Sequence, residues 1–430
     1  MSSTPIFVES SRALPLVSAV VAFRSGAGHD PAGREGLARI TARMLRRGAE
    51  GYTAARIEET TDSLGGELSV DVGFSASSVH LEVIKRSLDP FAGLGATVLS
   101  RPTFEVRELE RLLREAEAEI IESQDLDQVL CSRAFRRTLF TSHPYGRPSE
   151  GTVRTLRTIT GDDVRAFYRQ HYTRRNAVVA ISGDVDQHEA QDLVARILAD
   201  LPEGTPATDP IPPPLQRPGR HLVFVDKPER TQAQLIVGSL GTDAHDADHV
   251  PLLIANTVLG GTFSSRLMQE IRVKRGWSYG AYSHVSYDRH RDAFSVGSSP
   301  AANDASACLK LTLEMLQAFI ERGVTEDEFE FAKRYLIRSH AFDIDTARKR
   351  VHQSLVEALL DMPVGYHESY VARLEAATLA EANAAIHTRL SFDNLVLSVV
   401  GTHADIGQAI QDVIPGLSSV EVLPPGFDQM

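Results

Sequence analysis

Two side chains that could act together on a substrate lie in the segment 271–279, which reads I-R-V-K-R-G-W-S-Y. Arg272 and Tyr279 are seven positions apart, on either side of Gly276. A guanidinium and a phenol both donate hydrogen bonds, so the pair suits a substrate carbonyl or the oxyanion that forms from it during acyl transfer. The alternative interpretation is an arginine at a solvated helix end and an unrelated tyrosine in a strand.

The surrounding sequence predicts how this pair would be positioned. Upstream, residues 259–267 (L-G-G-T-F-S-S-R-L) combine a glycine pair, hydroxyl residues and an apolar periodic run, which is typical of a loop that leads into a helix. We expect that helix to carry Arg272, to end sharply at Gly276 and to be followed by a strand that begins near Trp277. The two donors would then meet just beyond the end of the helix.

Composition is ordinary for a soluble globular protein and excludes several classes. The 430 residues are 42% hydrophobic and 24% charged, and the formal net charge of −12 gives nucleic-acid binding no electrostatic support. The only cysteines, Cys131 and Cys308, are far apart, which argues against a disulfide framework or a cysteine zinc site. Because there is neither a signal-like N-terminus nor an apolar run long enough to span a bilayer, we expect a cytoplasmic protein with no membrane association.

The chain contains two copies of one pattern of strands and helices. Residues 201–219 form its most proline-rich segment and predict an extended linker, between a first domain at 1–200 and a second at 220–430. The buried-strand pattern that ends at Gly183 recurs with its end at Gly401, an offset of 218 positions, and a helical pattern follows it both times. Recurrence at one offset indicates an internal repeat.

Candidate hairpins and long helical regions occupy matching places in the two halves. The hairpins fall at 66–84 and 278–298, and the helical regions at 105–140 and 326–360. Strands paired in this way indicate antiparallel hairpins rather than crossover units. We therefore predict an α+β fold of two homologous domains, each a mainly antiparallel sheet packed with helices.

These residues resemble a known group, the pitrilysin/insulinase family of zinc metallopeptidases, in the form with two repeated domains per chain. The resemblance covers nearly the whole chain, and its main segments are 23–33, 36–38, 143–148, 167–172, 259–261 and 272–279. It implies the metalloprotease LuxS/MPP-like fold of the processing-peptidase subunits. In catalytic members, the helix after Gly-Leu-Ala carries His-x-x-Glu-His, whose histidines bind zinc and whose glutamate activates water.

In this chain the corresponding helix has lost the metal-binding residues. Both histidine positions are arginine, Arg39 and Arg43, and the position of the base is Ala42. Arginine stays protonated and has no lone pair for a metal, and alanine cannot accept a proton. The family's third ligand corresponds to Glu119, for which we predict a structural role, paired with Arg39 or Arg43. The resemblance therefore implies no metal and no cofactor in this chain.

A second pattern imitates the zinc motif. Residues 245–249 read His-x-x-Asp-His. The repeat places them in a loop, and Pro251, which follows at once, suits the first turn of a helix rather than its middle. We therefore interpret the segment as a loop with helix-capping acids and not as a metal site.

What the resemblance implies about function follows from a contrast: the zinc-binding residues are absent, whereas the Arg/Tyr pair is present. In the family, the zinc half and the Arg/Tyr half belong to one chain or to two. This chain resembles the zinc-free subunit of a heterodimeric peptidase, which would supply Arg272 and Tyr279 to a partner subunit that carries His-x-x-Glu-His and zinc. A peptide substrate would add as a strand to a sheet edge. Two alternatives are a non-enzymatic scaffold subunit and a peptide-binding protein that forms a homodimer.

Overall fold

A computed structural model describes residues 4–205, 211–243 and 245–427 of the chain. Residues 206–210 of the predicted linker lie outside the described residues, and the domain boundaries at 200 and 220 remain predictions. The strands, numbered in chain order, are β1 Ile6–Ser10, β2 Leu16–Phe23, β3 Gly48–Ala49, β4 Tyr52–Thr53, β5 Gly66–Val72, β6 Ser77–Ile84, β7 Ala177–Gly183, β8 Arg220–Asp226, β9 Gln234–Leu240, β10 Ser278–Tyr287, β11 Arg291–Pro300, β12 Leu395–Gly401 and β13 Leu417–Leu423.

Helices outnumber strands and cover the sheets. They are α1 Leu37–Met44, α2 Ala54–Ser63, α3 Leu88–Ser100, α4 Val106–Ser123, α5 Asp127–Phe140, α6 Val153–Leu156, α7 Gly161–His171, α8 Gln187–Ile197, α9 His249–Asn256, α10 Ala305–Arg322, α11 Glu326–Asp343, α12 Ala347–Leu359, α13 Tyr370–Ala376, α14 Leu379–Arg389 and α15 His403–Asp412. Two π-helical turns lie between α9 and β10, at Thr257–Gly261 and Met268–Val273.

The first compact unit consists of residues 1–120, 148–211 and 341–367. Its sheet has the strand order β1-β7-β2-β6-β5, in which β1 and β7 are parallel and the other neighbours are antiparallel. The alternating burial along β6 shows why a strand forms there, since every second side chain faces the apolar core.

The second compact unit consists of residues 121–147, 212–340 and 368–430. Its sheet has the order β10-β11-β9-β12-β8-β13, in which β10, β11, β9 and β12 are successively antiparallel, whereas β8 is parallel to both of its neighbours. Strand β12 is buried along its whole length, as expected for a continuous apolar run in the middle of a sheet.

The two units share one plan, and the predicted fold class is confirmed. Strands β8, β12, β9, β11 and β10 of the second unit repeat the order of β1, β7, β2, β6 and β5 in the first. Ala177–Gly183 and Leu395–Gly401, at the predicted offset of 218 positions, are equivalent central strands. Each domain is a mainly antiparallel sheet packed with helices.

Each of the long helical regions is two helices, not one. Helix α4 ends at Ser123 and α5 begins at Asp127, while α11 ends at Asp343 and α12 begins at Ala347, where Thr346 accepts a hydrogen bond from the backbone of Lys349. In each pair, the second helix belongs to a different compact unit from most of the first helix. Helix α5 packs on β8, β9 and β12 of the second unit, and α12 packs on β1, β2 and β7 of the first.

These exchanged helices cover sheet faces with apolar side chains. Leu130, Cys131 and Ala134 of α5 pack against strands of the second unit. Val351, Leu355 and Leu359 of α12 do the same in the first unit. Within the described part of the chain, no helix is both long enough and apolar enough to cross a lipid bilayer.

Candidate functional site

Helix α1 presents the positions that correspond to the zinc motif. A buried carboxylate fixes its beginning, because Asp30 accepts hydrogen bonds from the backbone N–H groups of Gly36 and Ala38, both at 2.7 Å. The buried face of the helix includes Ala42, which is 1% exposed. Arg39 and Arg43, one turn apart, lie on the partly exposed face.

Carboxylates of the first unit hold these arginines. Arg43 donates two hydrogen bonds to Glu119 of α4, at 2.8 and 2.7 Å, so the predicted ion pair is present. Arg39 is 3.8 Å from both Glu119 and Glu150. Leu112, seven positions before Glu119 on the same helix, is fully buried. The result is an ion-pair network where catalytic relatives would hold a metal.

The residues at these positions do not fit a zinc ion. Two guanidinium groups offer no lone pair, and they repel a divalent cation. The only carboxylate in the predicted set, Glu119, already accepts hydrogen bonds through both oxygens. The base position is an alanine packed in the core. No hydrolytic step at this place can therefore be derived from the residues of this chain.

The second unit positions Arg272 and Tyr279 through a turn, a π-helical segment and a strand. At Gly260 a Cβ atom would lie 2.2 Å from the backbone nitrogen of Ser283, so only glycine lets the turn Thr257–Gly261 approach β10 so closely. The segment Met268–Val273 is anchored by buried Ile271, whose carbonyl accepts a hydrogen bond from the backbone of Trp277. Gly276, with φ of +65°, reverses the chain into β10.

This arrangement brings the two predicted site residues into contact, together with a third that the sequence interpretation missed. The guanidinium carbon of Arg272 lies 4.6 Å from the ring centroid of Tyr279 and 4.4 Å from that of Phe263. The guanidinium therefore makes cation–π contacts with two aromatic rings. Both rings are unusually open to solvent, Tyr279 at 87% and Phe263 at 60% exposed.

The cation–π contacts involve no hydrogen bond from the N–H groups of the guanidinium. Among the described residues, the Arg272 side chain has no hydrogen-bond or ion-pair partner, and neither has the Tyr279 hydroxyl. The nearby carboxylate of Glu270 pairs with Lys274 and Arg275 instead. A planar cation with free N–H groups, held by two rings, is suited to a carbonyl or carboxylate oxygen.

Strand β10 places this pair at the edge of its sheet. It pairs with β11 on one side, and its register shifts between Ser278 and Ala281, so that Tyr279 lies within the bulge. Tyr282 and His284 follow on the exposed side of the same strand. An edge strand with unpaired backbone groups can accept a further strand.

The second motif, at 245–249, lies in a loop as predicted up to Asp248, and its last residue begins a helix. His249 is buried at the start of α9, where its Nδ1 lies 2.7 Å from the Thr242 hydroxyl, and burial lowers its pKa to about 4. Asp248 precedes the helix but makes no side-chain capping hydrogen bond. Asp246 and Asp248 instead pair with Arg389, at 2.6 and 2.7 Å. The prediction of capping acids was therefore wrong, because the distant guanidinium is the stronger partner for both carboxylates.

Phe263 left a weak signal in the sequence. It is a large apolar residue between hydroxyl residues in a glycine-containing loop, where polar side chains are usual. Such an exposed aromatic residue often marks a binding surface, but the sequence alone gives it no partner. Its contact with Arg272 depends on the π-helical turns, which hydrophobic periodicity does not reveal.

Comparison with known proteins agrees with this fold. Two family models match the chain, Insulinase (Peptidase family M16) over residues 6–153 and Peptidase M16 inactive domain over residues 158–336. The chain is 22% identical over 401 residues to "Non-peptidase homolog YmxG" of Helicobacter pylori, covering 93% of this chain and 92% of that protein. It is 23% identical over 382 residues to "Uncharacterized zinc protease YmxG" of Bacillus subtilis, covering 88% and 91%.

Solved structures share the same architecture. A peptidase M16 inactive domain from Pseudomonas fluorescens has a TM-score of 0.86 and 27% identity, covering 93% of this chain and 96% of that one. A protease from Helicobacter pylori has a TM-score of 0.85 and 16% identity, covering 93% and 99%. The class defined by fold and site is thus a two-domain α+β chain with a lost zinc motif. The chain belongs to the M16 family, the pitrilysin/insulinase peptidases, as an inactive member.

Proposed function

We propose that this chain is the non-catalytic subunit of a heterodimeric zinc metallopeptidase. Its partner would be a homologous subunit with His-x-x-Glu-His, and its substrate a peptide. The observation that carries the proposal is the guanidinium of Arg272, which contacts the rings of Phe263 and Tyr279 and has no hydrogen-bond or ion-pair partner among the described residues. A protein with a purely structural role has no need to hold two solvent-exposed rings against an arginine.

The chemistry of the pair suits peptide hydrolysis. Attack on a peptide carbonyl turns its oxygen into an oxyanion, which needs hydrogen-bond donors. Arg272 supplies a fixed positive charge with N–H groups in one plane, and Tyr279 supplies a phenolic hydroxyl. Stacking restrains the guanidinium before substrate arrives, so less conformational entropy is lost on binding. In this proposal the partner's zinc supplies the activated water, and this chain supplies the donors.

Substrate binding as an added strand belongs to the same proposal. Strand β10 is an edge of its sheet and carries Tyr279. A peptide paired with such an edge presents its carbonyl groups at regular spacing, so one of them can face the donors. Main-chain pairing predicts a preference for extended rather than folded substrates.

The test is reconstitution with a homologous subunit that carries His-x-x-Glu-His. Neither chain alone should cleave a quenched fluorescent peptide at the rate of the mixture. Arg272→Ala in this chain should lower kcat by about 100- to 1000-fold, the usual effect of removing an oxyanion donor. Tyr279→Phe, which keeps the ring and removes the hydroxyl, should lower it less.

The matched control is Arg275→Ala, because this neighbouring arginine pairs with Glu270 and stacks on Trp277 rather than on the Arg/Tyr pair. That variant should leave the rate unchanged, and all variants should assemble normally on gel filtration. Wild-type turnover by a correctly assembled Arg272→Ala complex would exclude the proposed role.

The alternative, a non-enzymatic structural or peptide-binding homologue, fits the name of the Helicobacter pylori relative. It predicts peptide binding or assembly without any hydrolysis.

A further inference from the structure

The second unit contains a cavity of about 510 Å³ that the proposed reaction does not use. Its lining residues are Thr257, Val258, Thr262, Ser264, Ser265, Arg266, Gln269, Glu270, Met315, Asp327, Glu328 and Phe331. A volume of this size accommodates a large side chain together with neighbouring backbone.

The cavity adjoins the Arg/Tyr pair through shared elements. Thr262 and Ser264 line it, while Phe263 between them stacks on Arg272. Gln269, which also lines it, precedes Arg272 by three positions in the segment Met268–Val273. The loop and the π-helical segment that position the Arg/Tyr pair therefore also form part of the cavity wall.

Charges around the cavity are balanced, with one exception. Arg266 is bound by both oxygens of Glu328 and by the carbonyl of Gly323. Glu270 is paired with Lys274 and Arg275, as described above. Within the described part of the chain, Asp327 has no cation within ion-pairing distance. The cavity thus offers one carboxylate without a counter-charge.

Apolar groups complete the lining. Val258 and Met315 give it an apolar wall, and Phe331, which is 50% exposed, lies one turn after Asp327 on α11. A carboxylate and an aromatic ring on the same face of a helix together attract a cation, by charge and by cation–π interaction. The apolar wall suits the methylene groups of a long side chain.

We propose that this cavity is a specificity pocket for a lysine or arginine side chain of the bound peptide. The proposal rests on the proposed function, because it takes the peptide to be held at Arg272. The ammonium or guanidinium pairs with Asp327 and lies against Phe331, and its stem packs on Val258 and Met315. Acidic side chains are repelled, since Asp327 is the charge without a partner.

The experiment measures binding of ten-residue serine/alanine peptides to the full chain by fluorescence anisotropy. Each peptide carries one variable residue, which is lysine, arginine, norleucine or glutamate. Lysine and arginine peptides should bind about tenfold more tightly than the norleucine peptide, the combined effect of one ion pair and one cation–π contact. The glutamate peptide should bind most weakly. The methyl NMR signal of Met315 should shift when the lysine peptide is added.

Variants of the chain test which residues cause the preference for lysine over norleucine. Asp327→Asn and Phe331→Ala should each reduce the preference for lysine over norleucine. Two matched controls should keep it, Glu326→Gln beside Asp327 and Tyr335→Ala one turn beyond Phe331, because neither residue lines the cavity. Absence of binding, equal affinity for lysine and norleucine, or a lysine preference that survives Asp327→Asn would overturn the proposal.

Arg272→Ala separates this proposal from the function on which it rests. If both hold, that variant weakens all four peptides by the same factor and keeps the lysine preference. An unchanged affinity for every peptide would remove the role of Arg272 in peptide binding and leave the pocket in place. If only the pocket proposal is wrong, the wild-type chain will show no preference for lysine, but Arg272→Ala will still weaken the binding of every peptide.

Discussion

The guanidinium of Arg43 lies 2.8 and 2.7 Å from the two carboxylate oxygens of Glu119. The sequence resemblance predicts that Glu119 corresponds to the family's third zinc ligand and Arg43 to its second histidine, and in this structure the two form an ion pair. Both oxygens of Glu119 are engaged in this bidentate ion pair, so the carboxylate is already neutralised by a guanidinium. Partial exposure of both side chains limits what the pair contributes to folding stability.

This ion pair leads to a prediction about metal binding. The double variant R39H/R43H should bind about one zinc ion per chain, because it places two imidazoles one turn apart on α1 and releases Glu119 as a third ligand. Isothermal titration calorimetry and metal analysis would measure the gain. Adding Glu119→Gln should weaken it. The matched control R39Q/R43Q removes the guanidiniums without supplying imidazoles and should bind no zinc; equal uptake by both double variants would disprove the assignment of the ligand positions.

Phe263 should act on the reaction by positioning Arg272. In the reconstituted peptidase, Phe263→Ala should lower kcat by about tenfold, because the guanidinium loses one of its two stacking rings. Phe263→Tyr keeps the ring and should restore most of the rate. Phe331→Ala also removes an exposed phenylalanine of the second unit, so it controls for loss of apolar surface: it should change KM for basic peptides rather than kcat. Full activity of Phe263→Ala would show that Tyr279 alone holds the guanidinium.

The two glycines around the Arg/Tyr pair should differ in their tolerance of alanine. Gly260→Ala should lower the free energy of unfolding by about 3 kcal/mol, because the added Cβ collides with the backbone of β10 at Ser283. Gly276→Ala should cost about 1 kcal/mol, since its Cβ meets no atom within 4 Å and only the positive φ is unfavourable. Urea denaturation would measure both changes. The reverse order of the two costs would contradict the packing of the turn against β10.

Stability should fall as the pH decreases from about 6.5 to 4. Burial lowers the pKa of His249 and of His171 to about 4, whereas in the unfolded chain each takes up a proton near its ordinary value of about 6.5. Between these values the unfolded state binds more protons than the folded state, so acidification favours unfolding, and the effect levels off below pH 4. Thermal unfolding at pH 7 and pH 5 would measure it.

A histidine on the surface provides the comparison for this pH effect. His249→Gln should reduce the loss of melting temperature between pH 7 and pH 5, because one of the imidazoles whose pKa is lowered by burial no longer titrates. His188→Gln, at an exposed position of α8, should leave the loss unchanged. An equal pH dependence in wild type and His249→Gln would mean that the burial of His249 is not what couples folding to protons.

Patterns within short sequence segments were enough to predict the two repeated α+β domains. The continuous apolar run of β12 and the turn at Gly276 are properties of short segments, so the central strands and the approach to Arg272 could be predicted without tertiary information. The replacement of the histidines by Arg39 and Arg43 needed only residue identity, because no environment gives a guanidinium a lone pair for zinc.

Features that depend on distant residues could not be predicted. Asp246 and Asp248 were expected to cap a helix, but Arg389, more than a hundred positions away, pairs with both. The stacking of Phe263 on Arg272 depends on two π-helical turns whose extra residue changes which side chains share a face. The division of each long helical region likewise depends on which sheet its second helix packs against.

The exchanged helices have a consequence for how this polypeptide is made. Because α12 covers a sheet face of the first unit, that unit stays incomplete until the ribosome has added residue 359, although its last strand, β7, is finished at Gly183. A truncated product that ends at the proline-rich segment would expose the apolar face formed by Val20, Ala22, Val178 and Ala180. Chaperone retention of nascent chains that end between these points is therefore expected, and the two domains of this protein mature together rather than in sequence.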